Sequence, residues 1–573
     1  MNDKANLSNP LDSQSTMPTS PTLPMTRTHI YLLAAALLAV WALYSASPAW
    51  DQVPRPPLRG PVPSTFLLGN TPDLYSRLHG FAYHHTLPAT YGRAFKIHMF
   101  AGEEQIYLSD TRALAHVLVR DTHVFDETPA MTSEFYYCFG PGLIAVRADT
   151  HKKSTSDPSL VNLRRAVRQR KMIQPLFGAA HIRALTPTFW SIAHQLSDVI
   201  RARSFDALDD GTEDNAFMVA VRELPYTVYP LHKFMPICIW CMQNLPVWLQ
   251  HVLARLAPLP QAQKVRRIVE TMQRNSEALY AAKKTALLEG NVEAAEQVGE
   301  GSDVMSVLMK ANMAAAEKEK ENLPDEEVLG QMNTFIAAGH DTMSSALARL
   351  LHSLATDLPR QGRLREELTR ARAETFGELN FRTVTSLPFL DAVYRETLRL
   401  SRACALPEPH VSPSHPLFSL LQAISIPLSA PIELSNGELV SELPVAKGQT
   451  ILVSIEAVNR DPAIWGPDAD RWVPERWLED LPPSVHAAEV PGTFAHTLSL
   501  LGGNRSCIGM KYAEVELTLV ENFEFAPAPG HEEIKWRLSL MQNPSLPGRE
   551  HLEEPELPLL VTMVKAAETE CVA

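Results

Sequence analysis

Residues Gly502 to Gly509 read GGNRSCIG, and this octapeptide constrains the surrounding chain more than any other feature. Glycines on both sides of Cys507 strip the backbone of side chains, so it can approach something flat and bulky. Arg505 adds a planar cation two residues before the sulfur. A buried structural cysteine in a glycine-rich loop is the alternative. The other cysteines (Cys138, Cys238, Cys241, Cys404 and Cys571) are few and unpatterned, which argues against a disulfide framework and for a reducing compartment. Cys238-Ile239-Trp240-Cys241 has no second Cys/His pair at metal-binding spacing.

Upstream, Gln331–Leu351 has a long helical pattern containing Ala338-Gly339-His340-Asp341-Thr342. Gly339 costs a free helix about 1 kcal/mol, so its place beside Ala338 points to a ligand passing close to the backbone. Thr342 lies four residues after Ala338, where its hydroxyl can bond that carbonyl and open a kink. Ordinary polar residues capping or bending a helix would look much the same. Further on, Glu396 and Arg399 of Tyr394–Arg399 are spaced to share a helix face, which on an exposed helix would be worth only a few tenths of a kcal/mol. Asn459–Gly466 and then Pro474-Glu475-Arg476-Trp477 precede the cysteine loop.

Taken in this order, the segments resemble the cytochrome P450 family over about residues 53–525. The family's haem loop runs Phe-x-x-Gly-x-Arg-x-Cys-x-Gly, and here Leu500 stands where the Phe is usual. The resemblance implies a mainly α fold with a small β-sheet region, binding haem with Cys507 as the axial thiolate ligand of the iron, a ligation that favours O–O cleavage. It also implies that Gly503, Gly509, Ala338 and Gly339 lie against the cofactor and that Arg505 partners a propionate. Asp341 and Thr342 would be the catalytic pair relaying protons to dioxygen, with His340 turned away from the iron. Glu396, Arg399 and Arg476 would form a buried network bracing the cysteine loop. The implied activity is insertion of one oxygen atom into a small apolar organic substrate, with electrons from NADPH through a reductase flavoprotein. An enzyme of the same fold that rearranges a peroxide would not need the Asp341-Thr342 pair.

Residues 1–29, rich in Ser, Thr, Pro and Asn, read as a disordered leader. Ile30–Ala46 carries no charge and is just long enough for one transmembrane helix, with Tyr31, Trp41 and Tyr44 suited to its interfaces. A cleaved signal peptide or a buried helix are the rival readings. Arg55 and Arg59 after the run favour a cytosolic body, and the resemblance implies the endoplasmic reticulum membrane. Residues 47–69 read as a Pro-rich, semi-rigid hinge and 70–573 as the haem domain. Ala94–Met99 and Gln105–Ser109 form an expected hairpin, and Thr111–Val119 an expected helix capped by Asp110. The broken apolar stretch Pro225–Leu256 is either core or a surface loop that dips into the bilayer. With 52 Lys+Arg against 65 Asp+Glu the net charge is −13, which argues against a nucleic-acid partner.

Three departures from the family pattern stand out. Ser154–Val167 splits the basic residues His151–Lys153 from Arg168–Lys171. No Arg occurs between Arg402 and Arg460, where a propionate-binding one is expected, and Val411–Ser425 takes its place. Only a short stretch separates Cys507 from the strand-like Phe523–Phe525. They raise the alternative of mis-joined segments, that is, a haem-poor degenerate family member or a membrane-bound binding protein without monooxygenase activity.

Overall fold

The computed structural model describes residues 56–564 apart from 146–167, 203–215, most of 229–246, 258, 290–303, 318–321, 376–378, 402–416, 510–521, 539–541, 551 and 553. The leader and the run Ile30–Ala46 lie outside the described residues. Among the described ones, no helix is long and apolar enough to cross a membrane. The chain divides after Gln52, and Val53–Ala573 forms one compact unit.

The Pro-rich segment expected as a hinge is, from Leu58 onward, part of the body. Leu58 is 2% exposed in the main apolar cluster. Lys96 N donates to Arg59 O at 2.9 Å, and Ser435 N to Pro57 O at 2.7 Å. Proline cannot continue a helix or donate to a ladder, but its carbonyls and its neighbours' still accept, so the segment docks along a sheet edge.

Strands β1 (Ala94–His98) and β2 (Glu104–Leu108) form the expected antiparallel hairpin. They belong to a five-stranded sheet in the order β1-β2-β7-β4-β3, with β3 at Phe125–Glu127, β4 at Leu417–Leu420 and β7 at Thr450–Val453. Only the β2–β7 pair is parallel, with Ile106 opposite Ile451. β4 falls inside Val411–Ser425, so this part of the presumed foreign segment is an interior strand of the sheet. Strands β5 (Ile424–Glu433) and β6 (Leu439–Val445) form a separate hairpin. Helix α1 (Thr111–Ala115) begins as expected, with Ala113 N donating to the Asp110 carboxylate at 3.0 Å. The same carboxylate accepts from Ser429 N at 3.0 Å, so one cap residue also ties β5 to the sheet.

Helices make up most of the remainder: α2 (Pro129–Phe139), α3 (Ala216–Val228), α4 (Pro260–Leu288), α5 (Asp325–Ala355) and α6 (Pro388–Leu400) are the ones that shape the site. Asp325, Glu326 and Glu327 open α5, where acids complement the helix dipole. α5 runs without interruption through Gly339 and Thr342, so the expected kink does not break the helix. Of the Pro225–Leu256 stretch, Pro225 lies inside α3, and Val247–Leu256 is a helix with Val252, Leu253 and Leu256 exposed. Strand β8 (Phe523–Pro527) pairs antiparallel with β11 (Leu559–Met563), and β9 (Lys535–Leu538) with β10 (Gln542–Ser545). The architecture is mainly helical with small sheets.

Candidate active site

The cysteine loop is held from below by the buried pair on α6. Arg399 donates from Nη2 and Nε to the two Glu396 oxygens at 2.8 and 2.9 Å, and both side chains are fully buried. Arg476 Nε adds a 3.0 Å bond to Glu396, Trp477 Nε1 another at 3.0 Å, and Val473 N one at 2.9 Å. Arg399 turns its Nη1 to the carbonyls of Asn459 and Ala469 at 2.7 and 2.6 Å. Every charge is thus hydrogen-bonded, the condition for an ion pair to survive away from water. The three residues expected as a network do form one.

Asn459 carries that network to the loop. Its Oδ1 accepts from Leu498 N at 2.9 Å and its Nδ2 donates to Ser499 Oγ at 2.8 Å, while Ser499 Oγ donates to Leu398 O at 2.6 Å. These bonds hold Ala495, His496 and Leu501, non-glycine residues at φ of 51°, 51° and 54°, in the left-handed region. Leu500 is buried in the place of the family's aromatic, and Phe494 of the same cluster packs edge-on against Tyr394 at 5.7 Å.

The glycines of the loop serve different ends. A Cβ on Gly503, whose φ is +59°, would lie 1.9 Å from Leu118 O, so this glycine is required by neighbouring backbone rather than by a cofactor. Among the described residues, the nearest atom to a Cβ added at Gly509 is Cys507 Sγ at 3.9 Å. Cys507 N donates to Leu500 O at 2.9 Å. Burial pushes its thiol up, opposed by the Gly509 amide and by the Arg170 guanidinium. Arg170 Nη2 donates to Ser506 O and Oγ at 2.8 and 3.1 Å, so the basic segment reaches the loop despite the insertion before it, Ser154–Val167, which lies outside the described residues. Arg505 pairs with Asp126 and Glu127 of β3, each at 2.8 Å, and Glu127 is the main cause of its raised pKa. These acids, distant in sequence, carried no local signal.

Helix α5 passes alongside. Thr342 Oγ1 donates to Ala338 O at 2.6 Å, as its spacing predicts. Asp341 Oδ1 lies 3.0 Å from His340 Nδ1, so His340 partners the acid. Among the described residues, a Cβ on Gly339 would meet nothing within 4 Å. Residues 335–344 are all half-buried or exposed, although α5 is buried at Val328, Met332, Leu350 and Leu354. Cys507 joins the apolar cluster that includes Ala346 and Leu347, and Ile508 the one that includes Phe335 and Ile336. Cys507 and Ile508 thus share apolar clusters with residues of α5 that precede and follow Gly339 and Thr342 in the chain. Burial, and after it the charge of nearby Asp341, raise the phenol pKa of Tyr226 on α3. Soft sulfur, two glycines whose added Cβ would meet no atom of the described residues closer than 3.9 Å, and neighbouring guanidinium groups suit a flat, anionic macrocycle with a soft-ligated iron.

A sequence model of the cytochrome P450 family matches residues 237–418 and 424–546, more than half of the chain. Cytochrome P450 monooxygenase 91 of Postia placenta is 33% identical over 94% of this chain and 97% of its own length. A ganoderic acid synthetase of Ganoderma lucidum is 33% identical over 90% and 95%, and cytochrome P450 monooxygenase 81 of Postia placenta 32% identical over 93% and 96%. A family model over more than half of the chain and relatives about a third identical over nine-tenths of it show that the chain belongs to the cytochrome P450 family of monooxygenases.

Proposed function

We propose that this chain holds haem through Cys507 and inserts one atom of dioxygen into an apolar organic substrate, with electrons from NADPH through a reductase. The observation that carries this reading is that Cys507 and Ile508 share their apolar clusters with residues of α5 before and after Gly339 and Thr342. Bound haem supplies a redox iron whose thiolate ligand favours dioxygen cleavage. The protein's own part is to orient and to move protons. Asp341, held by His340, takes protons from water and passes them to the Thr342 hydroxyl, which rests on the Ala338 carbonyl. Arg170 steadies the loop through Ser506. Arg505 serves a propionate only by sharing its guanidinium with Asp126 and Glu127.

The test is a reduced, carbon-monoxide difference spectrum of the purified protein. A thiolate-type Soret band is expected, and absence of haem would favour the degenerate, non-catalytic reading. Against that reading stand β4, which makes part of Val411–Ser425 a sheet strand, and Arg170, which still reaches the loop. The run Ile30–Ala46 is proposed as a single anchor in the endoplasmic reticulum membrane with the catalytic body in the cytosol. Carbonate-resistant sedimentation that is lost on deletion of residues 1–52 tests it.

A further inference from the structure

The charges around Arg505 do not cancel. Its Nη1 donates to Glu127 Oε1 and its Nη2 to Asp126 Oδ1, each at 2.8 Å. Successive side chains of a strand point to opposite faces, yet both acids of β3 reach one guanidinium. Asp126 does so by folding back on its own strand, its Oδ1 also accepting from Glu127 N at 2.9 Å. Glu127 is fixed by its place in the fold, opposite Phe418 of β4 and just before Thr128, which leads into α2. A guanidinium cannot give up its proton, so with both acids ionised the cluster carries one negative charge in excess. The side chain of Glu127 is 13% exposed against 31% for Asp126, so water relieves Glu127 less.

Burial pushes the Glu127 carboxyl up, the Arg505 guanidinium pulls it back, and Asp126 adds to the rise. Those are the charged groups that act on it. Arg170, the other cation of the loop, is turned to Ser506 and acts on Cys507 and Arg505. Arg505 has N–H donors beyond the two that the acids take, so a further carboxylate can bind the same guanidinium. It would then be the third acid on one cation. Two like charges about 5 Å apart at a partly buried site repel by roughly a hundredfold in an equilibrium constant. A proton on the acid that water reaches least removes that repulsion, and a protonated Glu127 can itself donate to the newcomer.

We propose that Glu127 is the residue that admits a haem propionate to Arg505, taking up one proton from water as the propionate binds. One carboxylate enters and one proton enters with it, so the charge of the cluster is the same before and after. The acids of β3 thereby make retention of the cofactor depend on pH. Between the pKa of Glu127 without the propionate and its higher pKa with it, binding consumes a proton, so affinity falls as pH rises; outside that window it is level. The inference rests on the proposed function in that the anion at Arg505 belongs to haem.

The test titrates the full-length protein, as wild type and Glu127→Gln, with metal-free protoporphyrin IX and with its dimethyl ester, followed by porphyrin fluorescence from about pH 6 to about pH 9. Without iron neither porphyrin ligates sulfur, so the titration of Cys507 does not enter. Wild-type affinity for protoporphyrin IX is expected to fall roughly tenfold to a hundredfold across this range. Glu127→Gln should stay level within about threefold and bind more tightly than wild type at the upper end. The dimethyl ester, whose propionates carry no charge, should show no fall with wild type. An equal fall in Glu127→Gln overturns the proposal, as does weaker binding by that variant at every pH, which would make the acid only a holder of Arg505. A level wild-type curve, an ester curve as steep as that of the free acid, or no binding of either porphyrin overturns it too. The comparison of acid with ester needs no variant, so it decides the matter even if Glu127→Gln does not fold. The carbon-monoxide spectrum of the haem-loaded protein reports on Cys507 separately, so loss of the thiolate band counts against the ligand assignment and leaves the pH dependence to be judged alone.

Discussion

Cys507 is pulled two ways, upward by burial and downward by the Gly509 amide and Arg170. Cys507→Ser replaces it with an alcohol that stays protonated near neutral pH and ligates haem poorly, so the thiolate-type Soret band should vanish. Persistence of the band would refute the ligand assignment. Thr342→Ala removes the hydroxyl on the Ala338 carbonyl and should leave binding intact while peroxide released per NADPH rises and organic product falls; unchanged coupling would count against the relay. Glu134 makes a separate prediction. Its folded pKa is raised, so between pH 4.5 and about 8 the folded state holds a proton that the unfolded state has lost, and stability falls as pH rises through that window. Glu134→Gln should therefore gain on wild type by up to about 1.4 kcal/mol per pH unit there, read from melting curves at several pH values. The Thr342–Ala338 bond and the Glu396–Arg399 pair could be read from sequence because the partners lie within about one helical turn. The acids that hold Arg505 could not, since 378 residues separate it from Glu127.

At the scale of elements, the glycines of α5 divide by what they touch. An added Cβ on Gly330 would lie 2.6 Å from Gly142 N, backbone against backbone, whereas on Gly339 it meets open space. Gly330→Ala should thus destabilise the fold by about 1–3 kcal/mol. Gly339→Ala should raise apoprotein stability by up to about 1 kcal/mol while lowering haem content per polypeptide. Equal effects of the two substitutions on melting would contradict this division. The buried network of α6 is expected to fail from either end, with Arg399→Met and Glu396→Gln each costing about 3–5 kcal/mol in chemical denaturation by stranding the other partners. Helix and hairpin positions were legible from periodicity and capping, as at Asp110. The pairing of β4 between β7 and β3 was not, because a strand of four residues carries no signal of its neighbours.

For the whole molecule, truncation is the sharpest test of where the body begins. A chain starting at Val53 should keep the melting temperature of the compact unit. One starting at Ser64 loses Leu58 from the core and the bonds at Pro57 and Arg59, and should be less stable by about 2–4 kcal/mol; equal melting of the two would return the segment to the role of a hinge. Through the resemblance of its motifs the sequence determined the family and the expectation that Cys507 ligates haem and that Arg476 joins the network, while the Ala338–Thr342 stretch of α5 and the Glu396–Arg399 pair follow from residue types at short fixed spacing. Only the tertiary structure decided that the Pro-rich segment docks, that Gly503 answers to Leu118, that Arg505 is shared with two acids and that Glu134 is buried, its Oε2 without a partner among the described residues. Burial and contact between segments far apart in the chain are set by how the layers close on one another, and no local pattern records that closure.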